Sequence, residues 1–328
     1  MHRTKSVGRA VGPVVESAAP ALIVSGLTKR YGPPETGLLA VDHIDFEVHR
    51  GEVFGFLGPN GAGKTTTIRM LTGLAEPTAG TAQVLGLDRA HDLSRIKKRI
   101  GVVPEASNLY NELTAFDNLI FSMWLYGVPR RERAARAEAL LARFHLIEKR
   151  DTRFGRLSRG MRRGLTIAAA LAHEPDLIFL DEPTTGLDVV SAHNLRQMIG
   201  ELRDEGVTIF LTTHYLEEAE RLCDRIALLV EGRIVALDTV DTLKAQTQGE
   251  TCVEITVERG DGLKEQQTRR LTGDHVETLI DRALAEARAE DYRVIAVNTV
   301  EPSLQDVFVQ LTGLDADLMR TEKNGKAK

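Results

Sequence analysis

Gly58-Pro59-Asn60-Gly61-Ala62-Gly63-Lys64-Thr65-Thr66 decides how this chain of 328 residues is read. Gly58, Gly63, Lys64 and Thr65 fill the fixed places of the pattern G-x-x-x-x-G-K-[ST]. The apolar run Val53-Phe54-Gly55-Phe56-Leu57 before it predicts a strand, and Thr66 to Leu71 after it predicts a helix. Between such elements, glycines let the backbone curl until successive N–H groups face one point. The helix N-terminus adds partial positive charge at the same place. The whole stretch is therefore expected to cradle a nucleoside triphosphate. Lys64 reaches its β- and γ-phosphates, and the Thr65 hydroxyl can ligate Mg²⁺.

Composition narrows the setting. Hydrophobic residues at 42% and charged residues at 27% match an ordinary globular protein long enough for two cores. The net charge of −5 gives no reason to expect nucleic acid as a partner. The two cysteines, Cys223 and Cys252, lack the spacing of a zinc site and suggest a reducing compartment. No apolar run approaches the ~20 residues that cross a bilayer, and Met1-His2-Arg3-Thr4-Lys5 does not open a secretory signal. Any membrane role is expected to pass through a partner subunit.

Residues 1–20 are small, polar and proline-interrupted, and read as a loose tail. Ile44, Phe46 and Val48 alternate with polar residues as in a half-buried strand. Apolar strands at 177–180, 207–211 and 226–230 alternate with helices near 191–205 and 215–223. That rhythm predicts a largely parallel sheet covered on both faces, an α/β fold. Residues 105–165 interrupt it with helices, one of them capped by Thr114 and Asp117. After residue 245 a second pattern begins. Val253, Ile255 and Val257 alternate, an amphipathic helix runs through Val276, Leu279, Ile280 and Ala283, and Val294 to Val297 is a strand. Ser303 with Asp306 caps a last helix that Gly313 ends. Residues 246–319 are thus expected to form a small α+β domain, and 320–328 a basic tail.

A phosphate loop alone leaves kinases, GTPases and many ATPases open. Leu177-Ile178-Phe179-Leu180-Asp181-Glu182-Pro183 adds an apolar strand ending in two acids. Asp181 sits where a Mg²⁺-holding carboxylate belongs, and Glu182 can accept a proton from attacking water. Between loop and acids lies Leu157-Ser158-Arg159-Gly160-Met161. Together these motifs resemble the nucleotide-binding subunit of an ATP-binding cassette (ABC) transporter, with the family's parts in order over residues 21–240. The resemblance implies a P-loop ATPase core, ATP and Mg²⁺ as ligands, and a helical subdomain at about 105–165.

The roles it implies fall on particular residues. Tyr31 matches the aromatic that stacks on adenine, and Thr185-Gly186-Leu187-Asp188 matches the family's D-loop, with Asp188 at the nucleotide. Thr212-Thr213-His214 matches the switch histidine, which orients water beside Glu182. Ser158 and Gly160 match the signature, which serves a nucleotide held by a second copy of the chain. A homodimer sandwiching ATP is implied, along with separate transmembrane permease subunits, on the cytoplasmic face of the membrane.

Three positions depart from the family pattern. Glu105 stands for the usual Gln, and either ligates Mg²⁺ and water or merely caps the helical insertion. Arg159 and Met161 replace Gly and Gln in the signature. Gly164 stands where relatives carry a large residue, for no reason visible in the sequence. The first two departures, and Glu301 to Phe308 with Leu311-Thr312-Gly313, resemble drug-, antibiotic- and sodium-export members. An importer ATPase, a cassette acting on DNA or ribosomes, and a regulatory nucleotide sensor are the alternatives. Tyr110, Phe116, Phe121, Trp124 and Tyr126 either form the core of the insertion or line a groove for a partner helix.

Overall fold

The computed structural model describes residues 19–246, 251–259, 266–273, 275–290, 292–300 and 303–314. The tail expected at 1–20 lies outside them apart from its last two residues, and the basic tail lies outside them entirely. An antiparallel sheet opens the chain: β1 (Leu22–Tyr31) pairs with β2 (Leu38–Val48). Next come β3 (Val53–Leu57) and α1 (Lys64–Leu71). Then β4 (Ala79–Val84) and β5 (Leu87–Asp88) return to the first sheet, giving the order β2-β1-β4-β5. A short helix α2 (Leu93–Lys97) leads to β6 (Ile100–Val103).

The helical block follows as α3 (Ala115–Leu125), α4 (Arg130–Arg143) and two 3₁₀ turns, Ile147–Lys149 and Phe154–Arg156. From it α5 (Arg159–Leu171) runs back to the second sheet. There β7 (Leu177–Asp181), α6 (Val189–Asp204), β8 (Thr208–Thr213), α7 (Leu216–Leu222), β9 (Arg225–Val230) and β10 (Arg233–Thr239) complete the order β10-β9-β3-β8-β7-β6. Only the β9–β10 pair is antiparallel. The parallel strands expected from their apolar runs are therefore present, with the phosphate-loop strand near the middle.

Those runs are continuous because both faces of the sheet are buried. Phe54, Phe56, Phe179 and Phe210 point one way and join Phe46 of the antiparallel sheet, with ring centroids 5.4–6.0 Å apart. Val53, Leu57, Ile178, Leu180, Ile209 and Leu211 point the other way, into a core with α5, α6 and α7. Each large side chain contributes about 1.5–3 kcal/mol of burial. The antiparallel sheet with its own face on the phenylalanines was not legible as a separate layer.

Two predicted caps form. Thr114 accepts from Asp117 N at the start of α3, and Ser303 and Asp306 make a reciprocal capping box on α10 (Leu304–Thr312). Before α10 come α8 (Val240–Gln246), β11 (Thr251–Arg259), β12 (Gln266–Gly273), α9 (Val276–Ala289) and β13 (Tyr292–Val300). The strands form a sheet of order β12-β11-β13, on which α9 seals a small core of Ile255, Val257, Ala283 and Ala287. β12 carries too many polar residues to read as a strand from sequence. The last helix belongs elsewhere: Leu304, Val307 and Phe308 of α10 are part of the core beneath the parallel sheet, beside Val240 and Leu243 of α8.

The aromatic segment divides. On α3 the buried residues are Ala115, Asn118, Leu119 and Met123, whereas Tyr110, Trp124 and Tyr126 are 51%, 57% and 38% exposed. Phe121 bridges Tyr110 and Trp124 at 5.1 and 5.7 Å, and Phe116 lies 4.0 Å beneath the Arg150 guanidinium.

Gly164 lies inside α5 beside a hollow of about 260 Å³ walled by Phe144, Leu146 and Met198. A Cβ added there would meet Phe144 at 3.5 Å and Leu146 at 4.0 Å, ordinary contact distances. The structure offers room for a side chain and shows no need for glycine. Gly164→Ala should accordingly stabilise the fold by about 0.5–1 kcal/mol, through the backbone entropy that glycine loses in a helix. Urea unfolding should show the midpoint rising with an unchanged slope; a fall would mean that the hollow must stay open.

Candidate nucleotide site

The site assembles where β3, β7 and β8 end. Gly63 precedes α1 at φ 108°, a conformation open to glycine, and a Cβ there would strike the Ala40 carbonyl. At Gly58 a Cβ would strike the Leu229 carbonyl, so this glycine is needed for close approach. Lys64 begins α1 and is buried. Its Nζ donates to the Gly58 carbonyl at 2.6 Å and the Pro59 carbonyl at 3.2 Å, and lies 3.2 Å from Glu182 Oε1.

Glu182 sits at the end of β7 with φ 46°, unusual for a residue with a side chain. Strain of this kind costs about 1–3 kcal/mol and marks a position held by its surroundings. Here the holding groups are plain. Its N–H donates to the Thr212 carbonyl, and Oε2 lies 2.7 Å from His214 Nδ1 and accepts from the Thr185 hydroxyl at 3.2 Å. Burial pushes the Glu182 carboxyl up, but His214 and Lys64 outweigh it and leave it below its ordinary value. The group is ionised at neutral pH. Its buried Oε1 pairs with Lys64 by distance without receiving a well-aligned hydrogen bond.

Asp181 anchors the floor. Its Oδ1 accepts from Thr212 at 2.6 Å and from Thr65 at 3.2 Å, joining two strand ends to the start of α1. Thr65 and Asp181 offer hard oxygen atoms side by side, a donor set that fits Mg²⁺. Among the described residues no cluster of three His, Cys, Asp or Glu could hold a metal alone.

A cavity of about 690 Å³ gathers Tyr31, Asn60, Gly61, Gly63, Lys64, Thr65, Thr66, Glu105, Glu182 and His214 from the expected set. Tyr31 is at its rim under Lys29, 5.0 Å from the ring centroid. Pro59 and Ala62 support the loop through the Ala62 N–H on the Pro59 carbonyl. Ser158, Gly160 and Asp188 do not line this cavity. Ser158 caps α5 by accepting from Met161 N, Asp188 caps α6 by accepting from Ser191 N, and a Cβ on Gly160 would strike the Ser191 hydroxyl. Glu105 is exposed on the cavity wall and caps no helix, since Thr114 caps α3.

Two site residues were not legible in the sequence. Arg163 on α5 is buried, and its guanidinium donates to the carbonyls of Pro104, Glu105, Asp181 and Pro183. Desolvation pulls it down to about 10, against the pull of Asp181, Glu105 and Glu182, so it remains charged at neutral pH. An arginine four residues before Ile167, on a face otherwise apolar, was the available signal. Glu218 on α7 is buried too and accepts from the hydroxyls of Thr184 and Thr213, both at 2.9 Å. Its burial pushes the carboxyl above its ordinary value.

Comparisons with known proteins agree with this geometry. The family profile described as ABC transporter matches residues 41–185. The daunorubicin resistance ATP-binding protein DrrA3 of Streptomyces coeruleorubidus is 40% identical over 314 residues, 90% of this chain and 96% of that protein. The linearmycin resistance ATP-binding protein LnrL of Bacillus subtilis is 34% identical over 293 residues, 83% of this chain and 93% of that one. Among solved structures, an ATP-binding subunit of an ABC transporter is similar at TM-score 0.62 and 34% identity, covering 69% of this chain and 92% of its own. A cassette captured as a post-hydrolysis dimer with ADP and Pi has TM-score 0.62 at 26% identity, covering 66% of this chain and 98% of its own. Relatives matched nearly end to end and a phosphate cavity built as their name requires lead to one conclusion: this chain belongs to the ABC transporter family as an ATP-binding, ATP-hydrolysing subunit.

Proposed function

We propose that the protein powers an exporter, using Glu182 as the base that activates water against the γ-phosphate of ATP. The observation that carries this reading is the Glu182 carboxylate held between Lys64 and His214 at the inner wall of the phosphate cavity. Lys64 draws the β/γ-phosphates toward α1, and His214 fixes the carboxylate through Oε2. Oε1, without an aligned donor, is the oxygen that receives the proton. Thr65 and Asp181 would hold Mg²⁺, which neutralises phosphate charge when bound, and Glu105 lines the same cavity as Thr65. Tyr31 offers its face to the base.

The position of the signature supports a shared site. Ser158, Gly160 and Asp188 stand outside the cavity of their own chain, at helix starts from which a second copy's γ-phosphate can be met. Two copies would then enclose two nucleotides, and the similar cassette that carries ADP and Pi is itself a dimer. A separate permease would supply the membrane span, because among the described residues no helix is long and apolar enough to cross a bilayer. Peripheral attachment at the cytoplasmic face follows from that partnership. Tyr110, Phe121 and Tyr126 line a groove of about 230 Å³ that also contains Leu109 and Leu125, with Trp124 on its shoulder. This groove suits an amphipathic helix of the permease. The export direction rests on the resistance relatives, and the permease would choose the cargo.

Glu182→Gln keeps size and polarity but removes the basic oxygen. Turnover should fall about 10²- to 10⁴-fold with ATP affinity retained, measured by phosphate release and nucleotide titration. Wild-type turnover would exclude Glu182 as the base. Lys64→Ala should weaken ATP binding at least tenfold in titration with a fluorescent analogue, since it removes the buried charge at the phosphates. Trp124→Ala should leave ATP hydrolysis by the isolated subunit unchanged while lowering co-purification with its permease; equal recovery would place the docking surface elsewhere.

A further inference from the structure

Strand pairing between β7 and β8 stops at Asp181 and Thr212. One residue later the Glu182 N–H still reaches the carbonyl and hydroxyl of Thr212. Beyond that point no backbone hydrogen bond joins residues 183–185 to residues 213–214 among the described residues. Yet the reacting geometry depends on how these two segments face each other, since Glu182 Oε2 and His214 Nδ1 meet at 2.7 Å. Side chains must set the separation that the ladder no longer sets.

Glu218 supplies the bridge. Its Oε2 accepts from the Thr184 hydroxyl, two residues after Glu182, and from the Thr213 hydroxyl, one before His214, both at 2.9 Å. The Thr213 hydroxyl in turn accepts from the Tyr215 N–H at 3.0 Å, a local turn that shapes the backbone carrying His214. Thr184, Thr213 and Glu218 are all buried, and none of them lines the phosphate cavity. Glu218 Oε1 is buried as well and receives no hydrogen bond. A buried carboxyl with one oxygen unfilled costs stability, and an apolar side chain serves packing at least as well. Stability alone therefore does not account for a glutamate here, whereas joining the two segments does.

We propose that Glu218 is a positioning residue for ATP hydrolysis: through the hydroxyls of Thr184 and Thr213 it sets the pairing of Glu182 with His214, without touching the nucleotide. Its influence falls on the chemical step. Lys64, Thr65 and Tyr31 stand on other elements and make no contact with the bridge, so nucleotide binding is left to them. The role rests on the reading of Glu182 as the base and His214 as the group that orients it.

The test is steady-state ATP hydrolysis by the full chain, with urea unfolding run on each variant. Glu218→Ala should lower kcat about 10- to 100-fold and leave the KM for ATP within about twofold, because small misplacements of catalytic groups cost that much. Glu218→Gln keeps an oxygen that can accept from both hydroxyls, and should restore kcat to within about threefold of wild type. On a His214→Ala background, Glu218→Ala should cost less than about twofold more, since the group it positions is gone. If Glu218→Ala does not fold, Thr184→Val removes one arm of the bridge and should lower kcat about threefold or more at unchanged KM. A Gln variant as slow as the Ala variant, a raised KM at unchanged kcat, or a fully multiplicative loss in the double variant would each overturn the proposal. Glu182→Gln separates the two levels. Wild-type turnover there rejects Glu182 as the base and the proposal with it; lost turnover there beside wild-type turnover in Glu218→Ala rejects the proposal alone.

Discussion

The buried carboxylate of Asp181 holds the site together. One oxygen accepts from Thr212 on β8 and from Thr65 on α1, so the ends of β7 and β8 and the start of α1 are fixed by a single group. A carboxylate this deep is costly unless its lone pairs are filled, and filling them requires the neighbouring strands in their observed register. That register in turn places Glu182 next to His214 and within reach of Lys64. The strained backbone of Glu182 is tolerable because strand pairing and side-chain contacts determine it from both sides.

Arg163 extends this constraint to the helical block. A guanidinium presents five N–H groups in one plane, and here they meet four carbonyls from the segments at 104–105 and 181–183. Any rotation of α5 must therefore move the Glu105 segment or break charged hydrogen bonds in a desolvated place. Glu218 performs a comparable task on the other side, joining Thr184 to Thr213 beside the histidine. The catalytic groups are consequently coupled to two helices through buried polar contacts, which are costly to break in a low-dielectric interior.

Much of this was legible from residue order. The phosphate loop, the parallel strands and the caps at Thr114 and Ser303 rest on local rules, and local rules act within a few residues. The aromatic segment was ambiguous because periodicity does not say which face of a helix finds a partner; the smaller residues of α3 point inward, leaving Tyr110 and Trp124 outside. Arg163 and Glu218 were missed for a different reason. A buried charge looks like any surface charge until the carbonyls or hydroxyls that satisfy it are brought in from distant segments. That Glu105 and Arg159 line one cavity is likewise a property of the fold and not of either motif.

The C-terminal region makes the same point at larger scale. Its sequence restarts after residue 245 as though a new unit began, and β11, β12, β13 and α9 do enclose a core of their own. Yet α10 leaves that core and buries Leu304, Val307 and Phe308 in the cassette, beside α8 and within reach of α7. Burying Phe308 alone is worth about 1.5–3 kcal/mol, so the contact is a structural commitment. Because α7 begins two residues after His214 and carries Glu218, α10 packs on the helix that helps hold the catalytic histidine loop. The nucleotide site is thus braced by α5 from the helical block and by α7 and α10 from the C-terminal side. A movement of α5 or α7 reaches the segments flanking Glu182 through the buried polar contacts of Arg163 or Glu218.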